Sequence, residues 1–140
     1  MICYDQLKRQ LIGHEGLKLK PYKCTSNKIT IGVGRNLEAK GITEQEALFM
    51  LDNDISYFEE QLIRRLPSFR TLSGTRQAAL INMAFNLGVR GLLNFKNMLN
   101  ALERADYDEA AAELLNSHYA VQVGMRAHEL AEQLQTGEWQ

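Results

Sequence analysis

Proline is scarce in this 140-residue chain, with only Pro21 and Pro67, and no stretch is repetitive or biased in composition. Neither a flexible linker nor a disordered tail is thereby indicated. Cysteine is equally sparse, at Cys3 and Cys24. Two thiols with no export signal read as free thiols rather than a disulfide, and their spacing fits no zinc pattern. The three histidines, His14, His118 and His128, fall at no ligand-like separation, so neither a metal site nor a cofactor is expected. No long apolar run opens the chain: Lys8, Arg9 and Gln10 interrupt Met1 to Gly16, which is neither a signal peptide nor a membrane span. The chain is therefore expected to stay in the cytosol, and another agent must let it through if its target lies across a membrane.

What is present is a hydrophobic fraction of 45% in 140 residues, enough for one domain with a real core and too little for two. The net charge of −1 hides an asymmetry. Residues 8–40 carry eight Lys/Arg against two acids, or +6, which leaves −7 for the remainder. Such a basic segment suits an anionic partner, either nucleic acid or the acidic polymers of a cell wall. A solvated hairpin with lysines on its outer face explains most of the same charges. No recognised nucleic-acid motif accompanies them, and no nucleic-acid partner is expected.

Leu7 and Leu11 follow Cys3 at i+4 and i+8, the stripe of an amphipathic helix that Gly13 and Gly16 can end. Cys3 then fits a small buried residue of that helix, and Glu15 sits at its end. From Leu17 to Gly34 the period becomes two: Leu17 and Leu19, Tyr22 and Cys24 after a break at Pro21, then Ile29, Ile31 and Val33 on the return. A loop over Thr25 to Ile29 would set Cys24 opposite Thr30, on one face of a β-hairpin. Thr43 and Glu46 form a capping box for a long helix to about Arg65, stopped by Pro67. Arg76 to Leu87 is apolar almost all round, the mark of a buried central helix ended by Gly88. Further helices are predicted at about Asn94–Arg104, Tyr107–Asn116 with Asp106 as cap, and Val123–Leu134. The fold class is α+β, mainly α. A hairpin lobe (about 14–42) is joined by the long helix (about 44–65) to a helical lobe (about 73–140, with the first helix), and a cleft lies between them.

The residues that could do chemistry are ordered: Glu15, eight residues, Cys24, five residues, Thr30, then Ile31-Gly32-Val33-Gly34-Arg35. This resembles the phage-type lysozymes, muramidases of glycoside hydrolase family 24, whose motif is Glu, eight residues, Asp, five residues, Thr, followed by Ile-Gly-x-Gly. Here the phrase reads Glu15-Gly16-Leu17-Lys18-Leu19-Lys20-Pro21-Tyr22-Lys23-Cys24-Thr25. The likeness continues through Arg76 to Met83, Phe85 and Gly88, then Asp108 to Ala111, Arg126-Ala127, and Thr136 to Trp139. The short connection from Gly34 to Thr43 resembles the compact lambdoid-type endolysins more than the longer T-even form.

The resemblance implies a lysozyme-like fold and hydrolysis of the β-1,4 bond between N-acetylmuramic acid and N-acetylglucosamine. Glu15 would be the general acid, a role that partial burial would favour. Cys24 stands where the family has the aspartate that deprotonates water. It would act as base or as covalent nucleophile, or be a structural thiol in a less efficient enzyme, or mark lost activity. Thr30 would position the water. Arg126 matches an arginine that approaches the acid and orients it. Arg35 and Asp54 match an ion pair between hairpin and long helix, and Asn86 and Tyr119 match residues lining the cleft. The implied biology is an endolysin held in the host cytoplasm, released by a holin-like permeabilising partner at the end of phage infection, and acting as a monomer on glycan strands in the periplasm, without stable membrane insertion. A cysteine-dependent wall peptidase built from Cys24 and a histidine, and a non-catalytic wall-binding module, are the rival readings.

Overall fold

The computed structural model describes residues 1–140 and contains seven α-helices and one three-stranded sheet. By its contacts the chain forms two compact units, Met1–Met50 and Leu51–Gln140.

The first unit opens with α1 (Tyr4–Glu15), which Gly16 ends at φ 80° while its N–H returns to the Ile12 carbonyl. None of its residues is buried, and the stripe of Leu7 and Leu11 lies exposed. Cys3 is likewise exposed and stands at the N-cap rather than inside the helix, because its extended backbone (φ −84°, ψ 100°) precedes the first helical turn. Its expected burial is thereby corrected.

Three strands follow as an antiparallel meander: β1 (Lys18–Lys23), β2 (Ile29–Gly32) and β3 (Arg35–Asn36). Pro21 does not break β1. The strand continues, but its register shifts between Lys18 and Tyr22, where proline has no N–H to give the ladder. At the β1–β2 connection the Cys24 N–H donates to the Lys28 carbonyl (3.0 Å) and Asn27 N–H to the Cys24 carbonyl (2.8 Å). Asn27 takes φ 61°, the left-handed conformation that a three-residue hairpin loop needs and asparagine tolerates.

The division between units falls within α2 (Glu44–Arg65). Its start is the predicted capping box: Glu46 N–H donates to Thr43 Oγ1 (3.1 Å), and Thr43 N–H to Glu46 Oε1 (2.9 Å).

The second unit holds the hydrophobic core. A 3-10 turn at Phe69–Thr71 leads to α3 (Gly74–Leu93), then α4 (Lys96–Glu103), α5 (Tyr107–Leu115), α6 (His118–Val123) and α7 (Met125–Thr136). Leu80, Met83 and Ala84 of α3 are wholly or almost wholly buried, as a helix apolar on most sides should be. They share one core with Leu62, Phe69, Met98, Leu114 and Leu134. Gly88 (φ 79°, ψ 162°) interrupts α3 at the predicted end, and the chain resumes helical conformation at once. Arg76 ties α3 to the end of α7, donating to the Leu134 and Gln135 carbonyls with its guanidinium over the Tyr107 ring. Asp106 caps α5 as predicted, accepting from Glu109 N–H. The six residues of α6 were not predicted, being too few to show a helical period.

Candidate active site

Glu15 is the last residue of α1, so its side chain leaves the helix where Gly16 turns the chain toward β1. It is exposed, without the partial burial expected of it. Its carboxyl group lies against Gly34 in the β2–β3 turn.

Cys24 and Thr30 occupy one sheet face, but not the expected pair of opposed positions. Tyr22 is the residue opposite Thr30, and Cys24 sits two levels further along, facing Lys28. The loop is shorter than predicted because Asn27 makes the tight left-handed turn. The two side chains therefore meet diagonally, still in reach. The thiol is half-buried and surrounded by donors: the Lys28 amide, the Thr30 hydroxyl and the Ser26 amide and hydroxyl hold its pKa below the ordinary thiol range, more than desolvation raises it. Thr30 is 3% exposed, and its hydroxyl donates to the Lys28 carbonyl at 2.9 Å.

Arg35 pairs with Glu46 inside the first unit, whereas its expected partner, Asp54, belongs to the second. Its two terminal nitrogens meet the two Glu46 oxygens at 2.9 Å each, and one also donates to the Gly41 carbonyl. Both Glu46 oxygens are engaged by this fork, and Asp54 stands exposed on α2. The Arg35 guanidinium first, then the Thr43 amide and hydroxyl, hold the Glu46 carboxyl down at about 2, against an ordinary 4.5. A carboxylate depressed in the folded state stabilises the fold at and above its ordinary pKa. That contribution is lost as pH falls from about 4.5 toward about 2. Arg35→Gln is expected to flatten the acid limb of thermal stability across that interval, measured by unfolding scans from neutral pH downward. An unchanged limb would mean that other carboxylates govern it.

The remaining expected residues belong to the second unit. Arg126 is held by Asn82, donating twice to its side-chain oxygen (2.7 and 3.0 Å) and once to its carbonyl (3.2 Å). It borders a groove of about 360 Å³ whose apolar walls include Ile81, Phe85 and Trp139. Asn86 is exposed on α3. Tyr119 does not present itself as a cleft wall: it is 5% exposed, packs edge-on against Phe95, and its hydroxyl is buried without a partner.

Sequence reasoning missed the donors around Cys24, although a hydroxyl residue two positions after it was a legible sign of a side chain capped by its own turn. It also missed Glu46 as the partner of Arg35, having given Glu46 only a capping role. A groove of about 660 Å³ on the first unit, lined by Leu19, Val33, Ile42 and Phe49 among others, touches only Arg35 of the expected residues.

The Phage lysozyme family profile matches residues 12–133, from the end of α1 to the last turns of α7. The chain belongs to that family. As a member it is a glycoside hydrolase, a lysozyme acting on peptidoglycan. Its relatives include the "Probable T4-type lysozyme 2" of Dictyostelium discoideum, 30% identical with 95% of each chain covered. The "Endolysin" of Acyrthosiphon pisum secondary endosymbiont phage 1 is 30% identical over 73% of this chain and 70% of its own. A third, the "Pre-baseplate central spike protein Gp5" of Enterobacteria phage T4, is 29% identical over 69% of this chain but only 22% of its own length.

Proposed function

We propose that this lysozyme cleaves the β-1,4 bond between N-acetylmuramic acid and N-acetylglucosamine, with Glu15 as general acid, Cys24 as base and Thr30 as the residue that positions water. The observation that carries the reading is the set of turn donors around Cys24, which favours the thiolate that a base must be. Glu15 gives its proton to the glycosidic oxygen as the C–O bond breaks. Water, its proton passing to the Cys24 thiolate, adds to the anomeric carbon of the oxocarbenium-like centre. Arg35 holds the hairpin to the start of α2 through Glu46, a supporting role outside the chemistry. Arg126, Asn86 and Asp54 are assigned to support or substrate contact on the second unit.

The sheet favours a base over a covalent nucleophile. Cys24 is level with Lys28 and Gly34 lies beyond Ile31, so the thiol and the turn that carries the Glu15 carboxyl are some four strand levels apart, about 13 Å by strand rise. That separation lies nearer the ~6.5–9.5 Å of inverting enzymes than the ~5 Å of retaining ones. Proton NMR of freshly released reducing ends is expected to show inverted anomeric configuration. Retention would replace the base by a nucleophile.

In the same reading the enzyme serves as a monomeric endolysin, released to the wall by a holin-like permeabilising partner at the end of phage infection. No helix of the chain is long and apolar enough to cross a membrane.

A further inference from the structure

Two glycines of the Ile-Gly-x-Gly phrase share a positive φ but differ in their surroundings. Gly32 (φ +69°) and Gly34 (φ +65°) both adopt the left-handed conformation in which any other residue is strained. A Cβ at Gly32 would meet nothing within 4 Å. At Gly34 it would lie 2.8 Å from Glu15 Oε2, 3.1 Å from Cδ and 3.3 Å from Cγ. Backbone conformation accounts for glycine at the first position. At the second, close approach of the carboxyl is an additional requirement.

We propose that Gly34 is a positioning residue: its bare Cα is the seat that fixes the Glu15 carboxyl, with Oε2 turned to the β2–β3 turn and Oε1 farther from it. This rests on the reading of Glu15 as the acid. Glu15 is an exposed, long side chain whose carboxyl lies against the β2–β3 turn. Contact with the turn therefore restricts its rotamers. A methyl group at Gly34 must drive the carboxyl off by rotation about the Glu15 side-chain bonds. A misplacement on the order of 1 Å at a reacting group costs up to about 100-fold in rate.

The matched pair Gly34→Ala and Gly32→Ala separates the seat from backbone strain. Both variants are expected to lose similar thermal stability. On soluble glycan oligomers, Gly34→Ala is expected to lower kcat by about 30- to 100-fold with KM little changed, while Gly32→Ala stays within about threefold of the parent. Glu15→Asp, whose carboxyl is one methylene shorter, is expected to lose less from Gly34→Ala than the parent does. Equal kcat for the two alanine variants, or identical losses from Gly34→Ala in the parent and in Glu15→Asp, would overturn the seat. Glu15→Gln is assayed beside them. If it remains active, the acid assignment itself falls. If it is inactive while the two alanine variants match, only the role of Gly34 falls.

Discussion

Glu15→Gln is expected to lower the release of reducing ends from peptidoglycan by about 10²–10⁴-fold, the usual contribution of one general acid. The fold should not notice the change. Glu15 is exposed at the end of α1 and makes no ion pair, and glutamine keeps its length and its contact with Gly34. What is lost is a proton that can be given to the leaving oxygen. Thermal unfolding measured on the same preparation is expected to lie within about 2 °C of the parent, consistent with a surface substitution within about ±0.5 kcal/mol. Persistence of parental activity in that variant would remove Glu15 from the mechanism.

The second large effect concerns Cys24, where three changes are expected to part company. Cys24→Ser should cost about 10²-fold or more, because a hydroxyl is not ionised at neutral pH and is a poor base. Cys24→Asp should hold or raise activity, since the Lys28 and Ser26 amides and the Thr30 hydroxyl that favour a thiolate would favour a carboxylate equally. Alkylation by iodoacetamide, in a Cys3→Ser background, should abolish activity by removing the anion and filling its place. The sign of the pH dependence follows from the role. A base works only when deprotonated, so activity climbs as pH rises through the Cys24 pKa, at a pH below that of an ordinary thiol. The aspartate variant should move this limb down by several pH units, into the carboxylate range. A limb in the same place in both proteins would show that Cys24 is not the group being titrated.

The parts of this chain that were legible in its sequence are those fixed by neighbours in the chain. Gly16, Thr43 with Glu46, Pro67 and Asp106 mark helix ends through local hydrogen bonds or their absence, and the observed boundaries lie within a few residues of the predicted ones. The order Glu15, Cys24, Thr30 was equally plain. What failed depended on one backbone torsion or on residues distant in sequence. The φ of Asn27 decided the loop length and so moved Cys24 two levels away from Thr30. The pairing of Arg35 with Glu46 rests on a fork geometry that no periodicity encodes. Tyr119 matches a cleft position by the family resemblance, yet its ring packs on Phe95 in the core.

The Thr30 hydroxyl has one hydrogen, and in this structure it is directed to the Lys28 carbonyl. The sulfur of Cys24 is a second claimant to it. Threonine is branched at Cβ, so its oxygen is held nearly still and only the O–H bond is free to swing. Each ionisation of the thiol can then be matched by rotation of a single hydrogen, away from the carbonyl and onto the sulfur, with no heavy atom displaced. The strand would register the charge state of Cys24 as the making or breaking of one internal bond at Lys28, and the cost of forming the anion would not include moving the hairpin.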